Sequence, residues 1–188
     1  MSKLILLDRD GVINQDSLHY IKSADEFIPI PKSIEAIARL SKAGYRIGVA
    51  TNQSGVARGY YSEQELTAIH KKMVDLVHAA GGEIDAIEYC KHMPDAGCFC
   101  RKPQPGMLLT LAKRMGYSSL AKVPFVGDRI SDIEAALAAG ASPVMILSPM
   151  TDRISLEAFL HIPIFNSLSH YVDQLLATAE LEPTTEVK

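Results

Sequence analysis

The sequence predicts an α/β protein built on a doubly wound, Rossmann-like parallel sheet. Three observations along the 188-residue chain carry that expectation. Short, almost wholly apolar runs alternate with longer stretches of helical period. A glycine follows each of four helical stretches. Polar clusters stand at or just past the ends of the apolar runs, where ligands gather in open parallel sheets.

The strands are predicted over Leu4–Asp8, Arg46–Thr51, Ala86–Cys90, Val123–Gly127 and Val144–Leu147. Each is nearly all apolar, as a strand covered by helices on both faces must be. The helices are predicted over Ser33–Ala43, Glu63–Ala80, Gly106–Met115 and Ser131–Ala139. Gly44, Gly81, Gly116 and Gly140 follow them at positions suited to left-handed C-terminal caps. No internal repeat or linker interrupts the order, so one domain over residues 1–181 is expected. The tail 182–188 has little to bury and is expected to fray. No large insertion precedes Cys90, so no substantial cap domain is expected.

Composition narrows the function. Apolar residues make up 47% of the chain and charged residues 22%, an ordinary globular balance. A formal charge of -3 with no basic run argues against a nucleic-acid partner. The apolar start Leu4–Leu7 is too short for a signal peptide, and no run approaches the roughly 20 residues of a membrane span. The expectation is a cytoplasmic protein without a membrane partner. No coiled-coil stretch argues for association, so a monomer is the default.

The polar clusters are Asp8-Arg9-Asp10-Gly11, Thr51-Asn52-Gln53-Ser54, Arg101-Lys102 and Gly127-Asp128. All four fall on one predicted sheet edge. Asp8 and Asp10 lie two residues apart, and Gly11 gives the turn that aims both at one point its backbone freedom. Two close carboxylates repel until a divalent cation sits between them. Magnesium suits such a pair, with Asp128 as the third ligand. Alone, Asp-x-Asp-Gly is equally a surface turn; its place after the first strand and the presence of Asp128 favour the metal. The Thr51 hydroxyl, Lys102 as a compact charge and Arg101 as a planar fork then complete a set suited to phosphoryl transfer.

Asp8-Arg9-Asp10-Gly11, Thr51-Asn52-Gln53-Ser54-Gly55, Arg101-Lys102-Pro103 and Gly127-Asp128-Arg129-x-x-Asp132 resemble the four motifs of the haloacid dehalogenase-like phosphatases. The run Asn52 to Gly59 together with Cys98-x-Cys100-Arg101-Lys102-Pro103 resembles the branch that acts on D-glycero-D-manno-heptose 1,7-bisphosphate, and its histidinol-phosphate phosphatase relatives. The resemblance implies that Asp8 attacks phosphorus and that Asp10 serves as acid and then base. It implies magnesium on the Asp8 carboxylate, the Asp10 backbone carbonyl and Asp128, with Thr51 and Lys102 steadying the transferring group. Arg101 is expected on the uncleaved end of a small phosphorylated sugar. Asn52, Gln53, Ser54, Arg58 and Arg129 are expected near substrate, with Asp16, His19 and Tyr20 from the loop after the first motif. Asp132 fits support of the magnesium site and a helix N-terminal cap equally well.

Cys90-x-His92 and Cys98-x-Cys100 place three thiols and one imidazole within eleven residues. A Cys₃His set suits tetrahedral zinc, and four protein ligands make the site structural. The zinc-stapled loop runs into Arg101-Lys102 and is expected to hold those cations in place. His70, His78, His161 and His170 stand apart from any ligand partner and are expected outside the site. Two other functions compete: phosphatase action on histidinol phosphate, and a catalytically silent phosphosugar-binding protein. The joint presence of Asp8, Asp10, Thr51, Lys102 and Asp128 argues against the silent one. The bisphosphate reading places its product in nucleotide-activated heptose synthesis for lipopolysaccharide or another glycan.

Overall fold

The computed structural model describes residues 3–181; the tail expected to fray at 182–188 lies outside them. Six parallel strands form one sheet: β1 (Leu4–Leu7), β2 (Arg46–Asn52), β3 (Ala86–Cys90), β4 (Pro124–Gly127), β5 (Ser142–Ile146) and β6 (Ile164–Phe165), in the order β3-β2-β1-β4-β5-β6. The helices are α1 (Ser33–Lys42), α2 (Glu63–Ala79), α3 (Gly106–Arg114), α4 (Ile130–Ala139), α5 (Arg153–Leu156) and α6 (Leu168–Leu181), with one 3₁₀ turn at Glu157–Phe159.

β1 shows why the sheet forms. Its four residues are wholly buried and alternate between two cores. Ile5 and Leu7 join Ile37, Ile69 and Met73 on one face. Leu4 and Leu6 join Leu108, Leu111 and Ala136 on the other. Helices on both faces leave the central strands no solvated side, so the sequence reads as an unbroken apolar run. α1 packs against α2 and α6 on the first face, and α3 packs against α4 on the second.

The four expected cap glycines all have left-handed backbone, with φ between 73° and 83°. α2 starts on a capping box: Ser62 Oγ accepts from Glu65 N–H while the Glu65 carboxylate accepts from Ser62 N–H. Three elements go beyond the sequence expectation. β6 has two residues, α5 has four, and α6 fills the stretch the reading left unassigned. Among the described residues, no helix is long and apolar enough to cross a membrane. Among the described residues no large cap domain interrupts the sheet, and Ser17 to Tyr20 with their neighbours form a short loop over its edge.

Candidate active site

β1 and β4 are direct neighbours, so Asp8 and Asp128 leave the sheet side by side. The Asp8 backbone N–H still donates to Val126 O at 2.8 Å, which carries the ladder one residue past β1. The chain then curls around the Arg9 carbonyl, which accepts from Ile13 N–H at 2.8 Å and Asn14 N–H at 3.2 Å. Gly11 sits in that turn at φ 79°, and a Cβ there would lie 2.2 Å from Asp128 Oδ2. Only glycine lets the turn approach the acid so closely.

Around this point opens a cleft of about 540 Å³. Asp8, Asp10, Thr51, Lys102 and Asp128 all line it, as do Asn52, Gln53, Ser54, Arg101 and Arg129. Asp16, Ser17, Leu18 and Tyr20 bring the loop after the first motif to its edge. Two predicted residues are not brought there. A turn closed by Tyr20 N–H onto Ser17 O leaves His19 off the cleft wall. Arg58 is exposed on the turn closed by its own N–H onto Ser54 O. The cleft gains Met150, Asp152 and Ser155, which the sequence reading passed over. Their signal was present: a polar run following the fifth apolar strand at the same sheet edge.

Lys102 is buried and its ammonium meets three acceptors: Asp132 Oδ1 at 2.7 Å, Asp8 Oδ1 at 2.9 Å and Ala50 O at 3.0 Å. Burial works against its charge, but Asp132 and Asp8 outweigh that and hold its pKa above the ordinary value. Arg9 N–H adds a second donor to Asp8 Oδ1, at 2.7 Å. Burial nevertheless pushes the Asp8 carboxyl well above the usual range, against the pull of Lys102. Burial, then the charge of Asp132, raises Asp128 to about 7. Ser148 Oγ donates to Asp128 Oδ2 at 2.6 Å, and Thr151 Oγ1 donates to its carbonyl at 2.8 Å.

Asp132 carries both roles open to it in the sequence. Its Oδ2 accepts from the N–H groups of Asp128 (3.1 Å) and Arg129 (2.9 Å), capping α4, while its Oδ1 holds Lys102. Asp10 faces another way. Its carboxylate accepts from Arg9, from Asn14 Nδ2 at 2.9 Å and from Gln53 Nε2 at 2.8 Å. Burial would raise its pKa, but Arg9, followed by those hydrogen bonds, brings it below the usual value. The three carboxylates with ligand atoms within 4.8 Å of one another are therefore Asp8, Asp128 and Asp132. The Asp10 carboxylate is not among them.

That donor set fits a divalent cation. Of three buried carboxylates, Asp8 and Asp132 meet the Lys102 ammonium, Asp128 Oδ2 lies 3.6 Å from Arg129 Nε, and Asp128 Oδ1 is buried without a hydrogen-bond partner. Hard oxygen donors with surplus negative charge suit magnesium. The second cluster fits a soft one. His92 Nδ1 lies 3.2 Å from Cys100 Sγ and 3.5 Å from Cys90 Sγ, and the sulfurs lie 3.3 to 3.6 Å apart. Tetrahedral zinc with bonds of about 2.0–2.3 Å separates its ligands by roughly 3.5–3.8 Å. Without a cation the thiols resist ionising together: burial, then Cys90 and Cys98, push Cys100 up to about 12.

The expectation that the metal loop alone fixes the cations needs correcting. Asn52 clamps the Lys102 backbone from β2, donating from Nδ2 to Lys102 O at 3.0 Å and accepting from Lys102 N–H at 3.1 Å. Arg101 is the residue that leans on the loop, through His92 O at 3.4 Å. His70 stays off the cleft wall, but it is buried where a surface or half-buried histidine was expected, with Nε2 3.2 Å from Arg9 Nη1.

Residues 3–140 match the family model described as haloacid dehalogenase-like hydrolase. A D-glycero-beta-D-manno-heptose-1,7-bisphosphate 7-phosphatase of Pseudomonas aeruginosa is 57% identical over 143 residues, 76% of this chain and 80% of that one. The phosphatase of the same name from Bordetella bronchiseptica is 51% identical over 144 residues, 77% of this chain and 80% of that one. A crystal structure of D,D-heptose 1,7-bisphosphate phosphatase from B. bronchiseptica, complexed with magnesium and phosphate, superposes with a TM-score of 0.85. It is 44% identical and covers 93% of this chain and 98% of that chain.

Proposed function

The chain belongs to the haloacid dehalogenase-like hydrolases and is a phosphatase, and we propose that it removes the 7-phosphate of D-glycero-β-D-manno-heptose 1,7-bisphosphate. The observation that carries the reading is the setting of Asp8. Lys102 and the Arg9 N–H both bind its Oδ1, which leaves Oδ2 for phosphorus, beside a buried and unpartnered Asp128 oxygen.

In the first step Asp8 Oδ2 bonds to the phosphorus of the 7-phosphate as the bond from phosphorus to sugar oxygen breaks. Asp10 gives its proton to that oxygen. Asp10 takes that proton from solvent as the phosphate dianion enters, because the added negative charge works against the depressed pKa of its carboxyl. In the second step Asp10 takes a proton from water, the water oxygen bonds to phosphorus, and the bond to Asp8 breaks. Lys102 steadies charge on Asp8 and the phosphoryl group, and the Thr51 hydroxyl donates to a phosphoryl oxygen. Asp8, Asp128 and the Asp10 carbonyl would hold magnesium, which would supply positive charge to offset that of the phosphoryl group. The Cys90, His92, Cys98 and Cys100 set would hold zinc as a purely structural ion.

Arg101 and Arg129 give the cleft two guanidinium groups, which suits a substrate with a second phosphate better than histidinol phosphate. The reaction belongs to a cytoplasmic pathway of activated-heptose synthesis. The test has two arms. Asp8→Asn is expected to lower turnover of a generic phosphate ester by about 10³-fold or more; equal turnover overturns the nucleophile assignment. Across both anomers of the heptose bisphosphate and histidinol phosphate, kcat/KM is expected to favour one bisphosphate anomer by about 100-fold, roughly 2.7 kcal/mol of transition-state binding. A preference for histidinol phosphate overturns the substrate.

A further inference from the structure

Arg9 is a buried arginine that the reaction as written does not use. Its side chain has no exposed surface. Nε donates to Asp10 Oδ1 at 3.2 Å, and Nη2 reaches both Asp10 oxygens at 2.9 Å. The opposite corner, Nη1, lies 3.2 Å from His70 Nε2. A guanidinium can only donate, so His70 presents a lone pair at Nε2 and carries its proton on Nδ1. Burial, then the charge of Arg9, lowers the His70 pKa to about 3, which keeps the ring in that neutral form.

His70 lies among the buried residues of α2, between Ile69 and Met73, with the ring of Tyr89 from β3 at 5.8 Å. The contact from α2 to the first motif spans 61 residues. A buried guanidinium corner left without an acceptor costs about 1–3 kcal/mol. Arg9 escapes that cost only by rotating, which breaks the two-point grip of Nη2 on Asp10. A shift of about 1 Å in a reacting group can cost about 10²-fold.

We propose that His70 is a positioning residue that acts through Arg9 to hold Asp10 for the second step, when water is deprotonated. Hydrogen bonds from Arg9, Asn14 and Gln53 fix the Asp10 carboxylate in place, and Arg9 makes the two-point contact among them. The inference rests on the reading of Asp10 as that base.

The test uses the magnesium-loaded full chain and p-nitrophenyl phosphate, whose leaving group needs no acid. For His70→Phe, kcat is expected to fall about 10- to 100-fold while kcat/KM stays within about threefold. KM then falls with kcat, and rapid mixing shows a burst of p-nitrophenol near one equivalent. His70→Gln, which keeps an acceptor, is expected to restore kcat to within about threefold and remove the burst. If kcat and kcat/KM fall together, or if Gln is no better than Phe, His70 is only a packing residue and the inference is overturned. Should His70→Phe fail to fold, His70→Leu carries the same comparison, because it too removes the acceptor facing Nη1 and leaves Arg9, which contacts Asp10, unchanged. A burst in Asp10→Asn with none in His70→Phe overturns the His70 inference alone. No burst in Asp10→Asn overturns the base reading, and the His70 inference with it.

Discussion

Asp8 and Asp132 share Lys102 at the end of the sheet with Asp128 beside them, and Asp10 stands apart in a cage of donors. Environment therefore divides two acids that stand only two residues apart in the sequence. Asp10 is held charged, while Asp8 is pushed towards neutrality until a cation arrives. His70 offers a measurable consequence for stability. Its folded pKa of about 3 lies below the unfolded value of about 6.5. The unfolded chain therefore binds more protons, and stability present above pH 6.5 is lost as pH falls towards 3. At pH 5 the loss amounts to about 2 kcal/mol. Urea unfolding of the parent and of His70→Gln at pH 7 and pH 5 should show their stability difference moving by about that amount in the variant's favour. An unchanged difference would mean that His70 titrates normally. The sequence hid this residue because its partner Arg9 lies 61 positions away. A histidine among Leu66, Ile69, Met73 and Val77 has the spacing of a core stripe, and in the fold it is both core and support.

The strand most plainly announced by the sequence, β1, is buried on both faces. Leu4 to Leu7 could be read because each residue faces one of two cores, and so all four are apolar. β6 escaped notice because two residues after Pro163 make no pattern. α6 had a signal that went unread: Leu168, Tyr171, Val172, Leu175 and Leu176 repeat at helical spacing, and Ser167 Oγ accepts from His170 N–H at its start. The metal loop was legible from its cysteine spacing, but its mechanical role was not, because Asn52 reaches Lys102 from a different element. The two cations therefore depend on the loop to different degrees. Removing zinc with a chelator, with magnesium kept in excess, should free Arg101 and leave Lys102 seated between Asp8, Asp132 and Ala50 O. KM for the bisphosphate is expected to rise about tenfold, with kcat within about threefold, as for losing one charge-assisted contact of about 1.5 kcal/mol. A collapse of kcat with unchanged KM would show that the loop holds Lys102 after all.

The strand order gathers these pieces at one place. From β1 the sheet extends through β2 to β3 on one side and through β4 to β5 and β6 on the other. Asp8 and Asp128 thus meet at the crevice where the winding reverses, the usual ligand site of such sheets. The two cleft arginines come from the two sides of that crevice: Arg101 from the loop beyond β3, Arg129 from the start of α4 after β4. Arg129 is already engaged, with its Nη2 on Asp16 Oδ2 at 2.6 Å, so it latches the loop after the first motif to α4. Arg101, whose guanidinium meets His92 O at 3.4 Å and no carboxylate among the described residues, is the readier of the two to grip a second phosphate. A bisphosphate set with its reacting end on Asp8 would place its other anion on the β3 side. Arg101→Ala should then raise KM for the heptose bisphosphate about 10- to 100-fold, the equivalent of about 1.5–3 kcal/mol for hydrogen bonds to a charged group. For a sugar monophosphate with the same leaving oxygen, the change should stay within about threefold, because no second anion is there to lose its partner. The comparison is made on one protein preparation with zinc and magnesium both present, so that loop order is common to the two substrates. Equal increases for both would mean that Arg101 meets the transferring phosphate itself, and the second anion would then have to be sought on the Arg129 side.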